Sequence, residues 1–109
     1  MPKTKLVVAS FGEHIRSLRV DQNLSLREVA FEIGVDTSLL GKIERNERQP
    51  TKDQIRALSS YFNINEKDLT KELLSDFFAS KIVDEEVDVD TLKVAEKKVE
   101  YLKESRGKK

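Results

Sequence analysis

The chain has 109 residues, about one domain at the usual ~100–200 residues per domain, which argues against a multidomain enzyme. Lys and Arg number 20 and Asp and Glu number 20, so the formal net charge is zero; Leu, Ile, Val and Phe supply 33 residues, enough to fold a chain that is 37% charged. With no cysteine, the sequence excludes a disulfide, a thiolate zinc site and a cysteine nucleophile.

Residues 1–9 read as an N-terminal arm. Its stretch Leu6-Val7-Val8-Ala9 is too short for a signal segment or a bilayer span, so the expected location is cytoplasmic, with no membrane partner. Ser10-Phe11-Gly12-Glu13 has the form of a capping box and predicts a first helix from Phe11 to about Gln22, with Phe11, Ile15 and Leu18 as its apolar stripe and Asn23 as its stop. Ser25-Leu26-Arg27-Glu28 opens a second helix of about two turns that carries Val29, Ala30 and Ile33 inward and ends at Gly34. Asp36 caps a third, Thr37 to about Arg45, with Leu40 and Ile43 inward and Asn46 closing it. After Pro50, Thr51-Lys52-Asp53-Gln54 starts a fourth helix through Phe62, ended by Asn63. Asn65 caps a fifth, from Glu66 to about Lys81, followed by a loop through the acidic run. Asp90 is the expected cap of a last helix, in which Leu92, Ala95, Val99 and Leu102 recur at steps of three, four and three. Five short helices within seventy residues and no alternating pattern make the fold all-α.

Charge is unevenly spread. Residues 1–69 hold 11 basic and 10 acidic side chains, residues 70–90 hold 2 and 7, and residues 91–109 hold 7 and 3. The excess acid therefore lies outside the segment with the most informative pattern, Leu24 to Arg48, where two short helices are joined by Gly34-Val35-Asp36.

That segment resembles the Cro and lambda-repressor-like (XRE) regulators. The likeness is carried by Ile15-Arg16-Ser17-Leu18-Arg19, Leu24-Ser25-Leu26-Arg27-Glu28-Val29-Ala30, Ile33-Gly34-Val35, Ile43-Glu44-Arg45-Asn46 and Pro50, in order and with the family's spacing. The resemblance implies a five-helix lambda-repressor-like DNA-binding domain over residues 10–70 and a C-terminal helical extension over 71–109. It implies that the third helix enters the DNA major groove, with Thr37, Ser38, Gly41 and Lys42 toward the bases. Lys42 suits guanine O6 or N7, whereas Thr37 and Ser38 discriminate weakly. Gly41, costly by ~1 kcal/mol inside a helix, reads either as a close approach to a base pair or as an indifferent surface position. Arg27, Arg45, Asn46, Arg48 and Lys52 are placed for flanking phosphates, and Arg19 with Glu44 resembles the family's structural ion pair. Where the family frequently has Gln at the start of the second helix this chain has Leu26, leaving backbone N–H groups and Arg27 to anchor that end.

The function implied is a sequence-specific transcriptional regulator, a repressor, that binds double-stranded DNA at a palindromic operator as a homodimer. Its dimer contacts are expected from Leu73, Leu74, Phe77 and Phe78 and from Leu92, Val99 and Leu102. A protein-interaction module or an antitoxin on the same fold is the alternative. No catalytic set, cofactor, metal site or small-molecule effector is expected: His14 reads as a surface histidine, and the run Asp84 to Asp90 lacks the glycine and terminal glutamate of a calcium loop.

Overall fold

The computed structural model describes residues 9–107, so all of the expected N-terminal arm except Ala9 lies outside the described residues. Among the described residues six helices follow one another: α1 (Phe11–Asp21), α2 (Leu26–Ile33), α3 (Thr37–Glu44), α4 (Lys52–Phe62), α5 (Glu66–Asp84) and α6 (Val89–Gly107). The described residues contain no strand. The fold is all-α, with a helical C-terminal extension beyond a five-helix domain.

Side-chain caps set where the helices begin. Ser10 with Glu13, Ser25 with Glu28 and Thr51 with Gln54 each form the reciprocal pair of a capping box. Asp36 accepts from the Leu39 amide at 2.7 Å at the start of α3, and Asn65 accepts from the Asp68 amide at 3.1 Å at the start of α5. One geometry sets where five of them end. Asn23, Gly34, Asn46, Asn63 and Glu86 all have positive φ, and the amide that follows each reaches back five residues, as Leu24 N does to Arg19 O and Val87 N to Ile82 O.

Glu86 accounts for the main departure from the sequence reading. Neither Gly nor Asn marks the end of α5, so the helix continues past the expected stop near Lys81 to Asp84 before Glu86 takes the left-handed turn. The start of α6 shifts for a related reason: Asp88, not Asp90, accepts from the Thr91 amide and hydroxyl, each at 2.9 Å. The acidic run offers several candidate caps, and the one three residues before Thr91 has the reach.

The chain divides into two compact units, the first ending at Asp76 and the second running from Phe77. In the first, Phe11 and Ile15 of α1 meet Val29 and Ala30 of α2, Leu40 and Ile43 of α3, Ile55, Leu58 and Phe62 of α4, and Leu69 of α5. Leu73, expected at a dimer contact, packs against this core instead, one turn beyond Leu69 on the same stripe. In the second unit no described residue is buried; Phe78, Val83, Leu92, Val99 and Leu102 are all exposed.

Candidate nucleic-acid interface

A helix of eight residues has too little surface of its own to hold an orientation, so α3 depends on what grips it. Leu40 and Ile43 are buried on its inner side, whereas Thr37, Ser38 and Lys42 are exposed. Two further contacts fix its C-terminal end.

The first is ionic. Arg19 donates through Nε to Glu44 Oε2 at 2.7 Å and through Nη2 to Glu44 Oε1 at 3.0 Å, while Nη1 reaches the Leu24 carbonyl at 2.9 Å. The pair is largely withdrawn from water, with 12% of the arginine and 4% of the glutamate side chain exposed. Hydrogen bonding to Glu44 holds the Arg19 guanidinium above its ordinary pKa, so Arg19 stays charged. One side chain thereby ties the end of α1 and the α1–α2 turn to the last residue of α3.

The second contact is steric, and the sequence reading missed it. Gly12 lies so close to the end of α3 that a Cβ there would sit 2.5 Å from the Ile43 and Glu44 carbonyl oxygens and 2.6 Å from Asn46 Oδ1. The Gly12 amide donates to that oxygen at 3.0 Å, and Asn46 Nδ2 donates to Ser10 Oγ at 2.8 Å. The amides opening α1 are thus satisfied by three different side chains, since Glu13 N reaches Ser10 Oγ and Phe11 N reaches Asp76 Oδ2 at 2.8 Å. A glycine just inside a capping box, where Ala would serve a helix better, is the signal that could have revealed the close approach.

These contacts correct two expectations. Asn46, expected at a phosphate, has its amide engaged on both sides within the protein. Gly41 is not an indifferent surface position: it is buried, and a Cβ there would meet Arg45 Nη1 at 3.2 Å and Leu26 Cδ1 at 3.9 Å. Leu26, standing where the family often has Gln, is half-buried and packs against the core. Arg45 forks onto Glu47, with Nε to Oε2 at 3.1 Å and Nη2 to Oε1 at 3.2 Å. Arg27, Arg48 and Lys52 are exposed. The capping boxes of α2 and α4 leave the amides of Leu26, Arg27, Lys52 and Asp53, the first two of each helix, for outside acceptors.

His14, expected at the surface, is half-buried, with Nδ1 2.7 Å from Glu72 Oε1. Burial raises the Glu72 pKa above its ordinary value, against the opposing pull of His14. Among the described residues no group of His, Cys, Asp and Glu is arranged to hold a metal, and no helix is long and apolar enough to cross a membrane.

Comparison with known proteins agrees with this architecture. The family described as Helix-turn-helix matches residues 15–69. No curated protein sequence matches the chain. Among solved structures, the chain is similar to the restriction-modification controller protein C.AhdI from Aeromonas hydrophila, at 34% identity over 54% of this chain and 89% of that one, with a TM-score of 0.51. The clp gene regulator ClgR from Corynebacterium glutamicum shares the fold at 23% identity, over 79% of this chain and 86% of that one, with a TM-score of 0.53. So does a chain of the SinR protein/SinI protein complex, at 22% identity, over 90% of this chain and 99% of that one, with a TM-score of 0.52. From the matched segment and from the helix pair that α1 clamps in place, the chain belongs to the helix-turn-helix family, as a DNA-binding regulator of the Cro and lambda-repressor-like type.

Proposed function

We propose that this chain is a sequence-specific transcriptional repressor that binds a palindromic operator as a homodimer. The observation that carries the reading is the exposed polar face of α3, Thr37, Ser38 and Lys42, on a helix held at its far end by the Arg19–Glu44 pair and the Gly12 contact. Lys42 donates to guanine O6 or N7, while Thr37 and Ser38 contact base edges with less discrimination. Arg27, Arg48 and Lys52, with the opening amides of α2 and α4, neutralise phosphates on either side. The controller protein similar to it at 34% identity supports a role in gene control.

One short helix reads only a few base pairs, so two copies on a two-fold axis, with half-sites about one helical turn apart, supply the missing specificity. The apolar side chains exposed on α5 and α6, Leu74, Phe78, Leu92, Val99 and Leu102, together with half-buried Phe77, support the C-terminal segment as the source of the dimer contacts. Selecting bound duplexes from a random pool tests the whole reading, because an operator with two-fold symmetry is the expected winner. In the same assay Lys42→Ala should relax preference at one position per half-site by ~1–3 kcal/mol. A winner without symmetry, or binding with no sequence preference at any salt concentration, would refute it.

A further inference from the structure

Arg45 is the residue after α3, one turn beyond Gly41, and helical side chains lean toward the N-terminus. Its guanidinium lies back along the helix where a side chain at position 41 would stand, with Nη1 3.2 Å from the place a Gly41 Cβ would occupy. Glu47 grips the Nε and Nη2 edge of the fork at 3.1 and 3.2 Å. A guanidinium has a second edge, formed by Nη1 and the remaining hydrogen of Nη2, and no described residue accepts from it. Two parallel N–H groups on that edge match the paired acceptors O6 and N7 of guanine.

We propose that Arg45 reads a guanine, with Glu47 as the residue that positions it and Gly41 as the gap that seats it. The inference rests on the DNA-binding reading above and reassigns Arg45 from phosphate to base. Glu47 is the informative member. A carboxylate beside a surface that meets phosphates weakens non-specific attraction, so its presence is explained by what it does to Arg45. Arg45, and more weakly Lys42, hold its carboxyl below the ordinary range, so it is ionised at neutral pH.

The test measures full-length chain on the selected operator, on operators changed at single base pairs, and on random duplex across a salt series. Arg45→Ala and Arg45→Lys should both lose about tenfold or more of the discrimination at one G·C pair per half-site, since lysine keeps the charge but not the fork. Glu47→Gln should bind random duplex more tightly yet discriminate less at that same pair; a merely structural role would not move the two readouts in opposite directions. Gly41→Ala should lose discrimination at that pair too, with melting curves confirming the fold. The inference is overturned if Arg45→Lys keeps the full preference while Arg45→Ala weakens all sequences alike and lowers the salt slope by about one, the signature of a phosphate contact. It is equally overturned if Glu47→Gln leaves discrimination intact. A wild-type chain that binds no duplex at low salt overturns the DNA-binding reading itself, a distinguishable failure.

Discussion

The unit ending at Asp76 and the unit beginning at Phe77 are both helical, yet they meet the burial requirement in opposite ways. In the first, apolar side chains from five helices close on one another, and the remaining strain points, a buried carboxylate and two helix ends, each find a specific partner. In the second, α6 is a helix of 19 residues in which every described residue is exposed. Helices in proteins owe most of their stability to packing rather than to propensity. The first unit is therefore complete by itself, whereas the second has its caps in place and its apolar face unspent.

The sharpest way to break that contrast is at the buried charge. Arg19→Met leaves the Glu44 carboxyl, 4% exposed, without its partner, and removing one partner of such a pair costs about 3–5 kcal/mol. Urea unfolding should show that loss, and adding Glu44→Gln should recover part of it. If the first unit tolerates Arg19→Met without a shift in midpoint, the pair is not what holds the end of α3. Next comes Gly12→Ala, which sets a methyl against two backbone carbonyl oxygens that have no rotamer to escape through. About 1–3 kcal/mol is expected from overpacking of this kind. Because α1 and α3 must part to make room, operator binding should weaken more than thermal stability suggests.

The same contrast explains what could be read from the sequence. Helix starts were legible because a capping box is local: four residues state it, and Ser10, Ser25 and Thr51 each do so. Stops were legible where Asn or Gly marked them, at Asn23, Gly34, Asn46 and Asn63, and illegible at Glu86, whose left-handed turn carries no compositional signal. The exposed face of α3 followed from helical phase, but the use of its neighbours did not. That Asn46 turns inward to the Gly12 amide, and that Arg45 folds over Gly41 onto Glu47, depend on tertiary distances that no spacing rule encodes. His14 illustrates the same limit, since its partner Glu72 lies 58 residues away in the chain.

A smaller effect on folding sharpens the contrast from the other side. Replacing Leu92, Val99 and Leu102 together with serine should leave the unfolding of the first unit within about 0.5 kcal/mol of wild type, as expected for surface positions. Self-association followed by sedimentation should weaken nonetheless, and operator binding with it. Equal association of the triple variant and the wild type would remove α6 from the proposed interface.

The smallest expected effect lies at Glu72, inside the first unit, and its sign is informative. Burial raises the pKa of this carboxyl above its ordinary 4.5, the charge of Asp76 adds to the rise, and the hydrogen bond from His14 opposes it. A group whose pKa is raised by folding binds its proton more tightly in the native chain. Its contribution is therefore fully present below the unfolded value and is lost as pH rises through the folded one. Stability should accordingly fall, through this group alone, over a window that begins near pH 4.5 and extends upward. Glu72→Gln keeps an oxygen for His14 and removes the titration, so the variant's unfolding free energy should depend less steeply on pH across that window. At neutral pH it should equal or exceed wild type only if the lost attraction between His14 and the carboxylate is smaller than the desolvation it relieves. That balance makes the pH slope, not the stability at any one pH, the quantity to measure, and an unchanged slope would place the raised carboxyl elsewhere.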